Sequence, residues 1–171
     1  MSASTGGEQD SLAEQLVHRL TTAGRTIAVA ESLTGGLVTA ALTAIPGSSA
    51  CVQGGVVSYA TELKAELLGV DPSLLKQAGP VDRGVAAQMA EGVARACASE
   101  IGLATTGVAG PSEQGGVAVG TVFVAIWSPR PGESAVSELA LEGDRAQIRY
   151  QTVAAVLRLA LNRIDPENAR Q

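Results

Sequence analysis

Residues 26–30 form an apolar run, Thr-Ile-Ala-Val-Ala, that stops at Glu31-Ser32-Leu33-Thr34-Gly35-Gly36, and a helix-forming segment follows at once. A buried strand turning through small polar residues into a helix opens a βα unit, so the pattern commits the chain to an α/β architecture. Open α/β sheets place their ligands at such turns. The glycine pair lets a bound group approach the backbone, and the hydroxyls with the free N–H groups of the next helix suit an anion. A purely structural reading is equally simple, with Thr34 capping that helix.

The rest of the chain extends this unit into one domain. Ser11 and Glu14 have capping-box spacing, Leu12, Leu16, Leu20 and Ala23 follow at helical intervals, and Gly24 supplies a stop. After the strand at 26–30 come a helix at 37–45 ended by Pro46-Gly47, a second strand leading from Val52 to Tyr59, and a short helix at 62–68. Asp71-Pro72 starts another short helix, and a longer one runs over 81–100, with Val85, Met89, Val93 and Cys97 on its apolar face. A third strand at 101–106 ends in the glycine-rich Gly107-Val108-Ala109-Gly110-Pro111. Two strands at 119–127 and 135–141 form an antiparallel pair, and Asp144 caps a last helix carrying Ile148, Val153, Leu157 and Leu161. The expected fold is a single three-layer α/β/α domain over 11–164 with a mixed parallel and antiparallel sheet, flanked by polar tails at 1–10 and 165–171.

With 171 residues and 46% apolar content the chain can bury one sizeable core, and aromatics at 2% leave Ala, Val, Leu and Ile to build it. That composition suits helices packed closely on a sheet. The net charge of −5 and the lack of a Lys/Arg cluster argue against nucleic acid as a partner. No apolar run approaches the ~20 residues of a bilayer span, and the polar N-terminus does not read as a signal peptide, so the expected compartment is the cytoplasm and no membrane partner is expected. Cys51 and Cys97 have neither disulfide-framework nor zinc-ligand spacing and read as small buried residues; the lone His18 reads as a structural residue within the first helix. No metal or cofactor is expected.

No His/Asp pair is available to activate a hydroxyl. Lysine can serve as a base when burial disfavours its charged form, as in Ser–Lys dyads. Ser49, Tyr59 and Lys64 provide a serine, a phenol and an amine around one strand and its adjoining turns. Their meeting requires a bend at Gly54-Gly55 or a neighbouring subunit. Structural roles are open to all three: Ser49 as a cap, Tyr59 as a half-buried strand residue, Lys64 as a solvated helix residue.

Six stretches taken together resemble the successive signatures of the CinA C-terminal-domain family. They are Glu31-Ser32-Leu33-Thr34-Gly35-Gly36; Pro46-Gly47-Ser48-Ser49; Val57-Ser58-Tyr59 with Lys64 and Leu68-Gly69-Val70; Thr106-Gly107-Val108-Ala109-Gly110-Pro111; Val119-Gly120-Thr121-Val122; and Gly143-Asp144-Arg145. The resemblance covers about residues 10–163, and the order of the motifs makes it specific where each alone is weak. The family is known for deamidating nicotinamide mononucleotide to nicotinic acid mononucleotide and ammonia.

The resemblance therefore implies a small nucleotide as substrate, Ser49 as nucleophile, and Lys64 and Tyr59 as its proton-handling partners. Backbone N–H groups at Gly47, Ser48 and Ser49 or along Gly107 to Gly110 are the candidate oxyanion donors. The phosphate is assigned to Ser32, Thr34, Gly35 and Gly36 with the fork of Arg145. Glu31 is a candidate for a ribose hydroxyl, and Thr105 and Thr106 end a strand facing the same crevice.

Two departures from the family pattern stand out. Residues 112–118 are shorter than the family's glycine-rich insert and lack its Lys-Pro pair, and Asp82 stands where serine is common, at a helix-cap position aspartate also fills. The alternative functions are a non-catalytic, competence- or DNA-damage-associated protein-binding module, and a deamidase of another small amide. A homo-oligomer is expected in either case.

Overall fold

Strand side chains alternate in size as well as in direction, and this sets how close each helical layer comes. In β1 (Ile27–Glu31) the large Ile27 and Val29 point to one face and the small Ala28 and Ala30 to the other. β3 (Ile101–Gly107) repeats this with Ile101 and Leu103 against Gly102 and Ala104. The large-residue face is covered by α1 (Ser4–Ala23), α2 (Leu37–Thr43) and α6 (Arg145–Arg163). The small-residue face receives α5 (Arg83–Ala96), with α3 (Thr61–Leu68) and α4 (Pro72–Ala78) beside it.

The computed structural model describes residues 4–164, so the polar tail expected at 165–171 lies outside the described residues. A five-stranded sheet has the order β2-β1-β3-β4-β5, where β2 is Val52–Val57, β4 is Thr121–Trp127 and β5 is Ala135–Ala140. β1 pairs in parallel with both β2 and β3, while β3–β4 and β4–β5 are antiparallel. The three-layer, mixed-sheet α/β domain read from the sequence is the fold observed. The chain leaves β1 for one face through α2 and leaves β2 for the other through α3, α4 and α5. The crevice at the carboxyl ends of the parallel strands is therefore a topological switch point.

Several boundaries move for identifiable reasons. α1 starts at Ser4, ahead of the Ser11 start that the capping-box spacing predicts. Ser11 lies inside the helix and accepts from Gln15 Nε2 at 3.2 Å, and the buried Gln9 donates to Tyr150 O of α6, so part of the expected tail packs onto the domain. α5 starts later than Val81 because the Asp82 carboxylate accepts from Gly84 N and Val85 N. Asp144 caps α6 as expected and forms a full capping box with Gln147.

At the amino end of β1 the buried Arg25 donates to Glu100, Glu133 and Ser128, tying the β1, β3 and β4 ends together. α5 lies so near β3 that a Cβ on Gly102 would sit 1.8 Å from Ala90 O. Gly102→Ala must push the helix away and is expected to destabilise the fold by about 1–3 kcal/mol, the usual cost of overpacking. Urea unfolding checks this; an unchanged midpoint would show that α5 does not need the contact.

Candidate active site

Lys64 is the decisive side chain, because α3 turns it inward until its exposure is 1%. Its Nζ donates to Ser58 O at 2.6 Å and to Ser32 Oγ at 3.1 Å. Among the described residues no carboxylate shares this contact. Burial lowers the amine to a pKa of about 8, against a smaller opposing effect from Glu62. Ser32, the first residue beyond β1, therefore sits beside an amine that is substantially neutral at mildly alkaline pH.

These residues form the floor of a cleft at the carboxyl ends of β1, β2 and β3, with about 540 Å³ of atom-free space open to solvent. One wall carries Thr106, Gly107 and Gly110 from the end of β3, and another carries Pro80 and Val81 from the α4–α5 turn. The rim carries Tyr59 and Arg145, joined by an Arg145 Nη2 to Tyr59 OH hydrogen bond of 2.9 Å. Arg145 Nη1 also donates to Gly110 O at 2.8 Å, linking α6 to the glycine-rich loop. Ser112 and Gln114 line the cleft from the shortened loop, so that loop reaches the site despite its length.

The structure separates Ser49 from this constellation. Ser49 is exposed on a short 3-10 turn, Ser48–Ala50, at the amino end of β2. The cleft lies beyond the carboxyl end of that strand, and six residues at about 3.3 Å each put roughly 20 Å between them. Gly54-Gly55 does not fold the strand back; both pair in register with β1. Within one chain the serine beside Lys64 is therefore Ser32 and not Ser49. Gly47 and Ser48 share the distant turn, where Ser48 O accepts from Cys51 N, and they too lie away from the cleft.

The turn after β1 spends most of its polar groups on the main chain and on β3. Glu31 is fully buried, and its two carboxylate oxygens accept from Gly36 N, Val38 N, Thr39 N and Thr39 Oγ1 at 2.7–3.0 Å. The carboxylate, not Thr34, caps α2, and no lone pair remains for a ribose hydroxyl. Thr34 and Thr105 are buried and share a 2.7 Å hydroxyl hydrogen bond that locks the turn to β3. Gly35 and Gly36 adopt positive φ, as the turn into α2 requires, and do not line the cleft. Of the residues 31–36 picked out in the sequence, only Ser32 and Leu33 face it.

Sequence reasoning missed Arg149, whose Nε and Nη2 donate to Leu33 O and Thr34 O at 2.9 and 3.0 Å. The available signal was its spacing four residues after Arg145, which puts both guanidiniums on one side of α6. Thr106 was placed correctly at the cleft, although its hydroxyl is committed to Pro80 O at 2.6 Å. Ser58 Oγ is buried beside this site with no hydrogen-bond partner among the described residues.

The serine–lysine pair thus lies in an open cleft at the switch point of a small α/β domain. The sequence profile described as the CinA C-terminal domain matches residues 9–164, and the chain belongs to that family. A CinA-like protein of Frankia casuarinae is 46% identical over 154 residues, covering 90% of this chain and 35% of its own length. One from Mycobacterium avium is also 46% identical, covering 89% and 36%. The chain thus spans little more than a third of these curated relatives. Among solved structures, the competence/damage inducible protein CihA of Agrobacterium tumefaciens superposes with a TM-score of 0.88 at 34% identity, over 92% of this chain and 96% of that one. A CinA-superfamily protein of Escherichia coli gives 0.84 at 27% identity, over 90% and 88%. Among the described residues no helix is long and apolar enough to cross a membrane.

Lys64 also makes stability depend on pH in a definite direction. Between about 8 and its ordinary 10.5 the unfolded chain holds a proton that the folded protein has lost, so stability rises with pH across that window. Below about 8 the buried charge is a cost. Lys64→Met is expected to be more stable than the parent at neutral pH and to lose that rise, as measured by urea unfolding at several pH values. An unchanged pH dependence in Lys64→Met would mean that this lysine is not the titrating group.

Proposed function

We propose that the cleft is the active site of an amidohydrolase that converts nicotinamide mononucleotide to nicotinic acid mononucleotide and ammonia. The observation that carries the reaction class is the 3.1 Å contact between Ser32 Oγ and the buried Lys64 amine. Membership of the CinA family and the six-motif resemblance carry the nucleotide.

In this reading neutral Lys64 takes the Ser32 hydroxyl proton as Oγ bonds to the carboxamide carbon. The same amine then returns the proton to the departing nitrogen. The C–N bond breaks, ammonia leaves, and an ester joins Ser32 to the nicotinoyl nucleotide. Water attacks that ester with Lys64 again taking a proton; the C–O bond breaks, and Ser32 recovers its hydrogen as the acid departs. The oxyanion is held by backbone N–H groups of the loop from Gly107 to Gly110, of which Val108 N is already committed to Thr121 O. Arg145, permanently charged and at the rim, holds the phosphate, and Tyr59, bonded to it, orders that end of the substrate rather than moving protons at Ser32.

An ammonia-release assay with nicotinamide mononucleotide tests the reading. Ser32→Ala is expected to lose at least about 10³-fold in kcat, as removal of a nucleophile does, while Ser49→Ala keeps near-parental turnover. The kcat/KM of the parent is expected to rise with pH through about 8 and then level, because the base works deprotonated. Full activity in Ser32→Ala, or loss confined to Ser49→Ala, would overturn the assignment. An inert parent that hydrolyses a different small amide would retain the chemistry and replace the substrate.

A further inference from the structure

The turn that carries Ser32 is made of main chain, and main chain alone does not fix a hydroxyl to a few tenths of an ångström. Ser32 O accepts from Gly35 N at 3.0 Å, which closes the turn, and Ser32 N donates to Thr105 O at 3.1 Å, which anchors its start. Two charged side chains of opposite sign then hold what lies between. Glu31 gathers N–H donors on the α2 side, and the Arg149 guanidinium gathers the carbonyls of Leu33 and Thr34.

Resting on the reading of Ser32 as nucleophile, we infer that Arg149 is a positioning residue that sets the Ser32 hydroxyl against Lys64. Its geometry is specific to a guanidinium. Nε and Nη2 form one edge of the planar fork and meet two successive carbonyls, an arrangement a single ammonium cannot reproduce. The turn leaves room for the fork: a Cβ on Gly35 would stand 3.3 Å from Nη2, and Gly35 has φ +57°. Among the described residues no carboxylate pairs with Arg149, so its charge is directed at the turn. Arg145, one helical turn earlier on α6, lines the cleft itself, while Arg149 donates to the loop behind it. One helix thereby links the rim of the cleft to the nucleophile's support.

The test compares Arg149→Met, Arg149→Lys and Arg149→Ala with the parent. Arg149→Met is expected to lose tenfold or more in kcat with little change in KM. Its pH–rate profile is expected to shift, since Lys64 loses its fixed hydroxyl neighbour. Arg149→Lys is expected to recover only part of the loss. Added guanidinium ion at sub-denaturing concentration is expected to restore activity to Arg149→Ala. Hydrogen exchange of the Leu33, Thr34, Gly35 and Gly36 amides is expected to accelerate in Arg149→Met while β3 and α6 keep parental rates. Parental kcat and pH profile in Arg149→Met would overturn the inference. So would a loss that guanidinium does not rescue, accompanied by faster exchange throughout the sheet, because that marks a structural role only. If the parent itself fails to hydrolyse nicotinamide mononucleotide, the functional reading falls, and the exchange pattern at 33–36 still decides whether Arg149 orders the turn.

Discussion

The burial of one amine organises this molecule's functional end. Among the described residues no carboxylate pairs with Lys64, so the fold tolerates the group by giving it Ser58 O and Ser32 Oγ as acceptors and by lowering its proton affinity. A charged amine in that position is costly and a neutral one much less so. The condition that makes Lys64 acceptable to the core is the condition that leaves its amine substantially neutral at mildly alkaline pH.

Everything around the pair serves to keep it in register. Parallel pairing of β1 with β2 and β3 brings three strand ends to one level, and the crossovers to opposite faces open the crevice above them. Alanines and Gly102 on one face of the sheet let α5 approach closely, and α3 packs on α5 with Gly92 under Leu68 O, where a Cβ would stand 2.0 Å away. α3 carries Lys64. Small side chains on that face of β1 and β3 admit a helix at short range, and the position of the lysine depends on that range.

The layered fold was legible in the sequence because it depends on local periodicity, and the alternation in β1 and β3 or the Asp82 and Asp144 caps can be read in a window of a few residues. The site was legible only in part. Ser32, Tyr59, Lys64, Thr106, Gly107, Gly110 and Arg145, all picked out in the sequence, line one cleft, whereas Ser49 does not, and as small polar residues beside a strand Ser32 and Ser49 read alike. What separates them is which end of a strand each occupies. Ser32 follows β1 and faces the cleft; Ser49 precedes β2 and faces the opposite end. The roles of Glu31, Thr34 and Thr105 escaped notice for a related reason. A polar residue spent on the main chain and one offered to a ligand carry the same letters, and only the count of hydrogen bonds already made tells them apart.

In the proposed reaction Ser32 Oγ forms the covalent bond to the substrate. Rapid acid quenching of the parent protein during turnover of nicotinamide mononucleotide, followed by proteolysis and peptide mass spectrometry, tests it directly. A nicotinoyl-mononucleotide ester is expected on the peptide containing Ser32 and is expected to be absent from Ser32→Ala. The same adduct on the peptide containing Ser49 would contradict it.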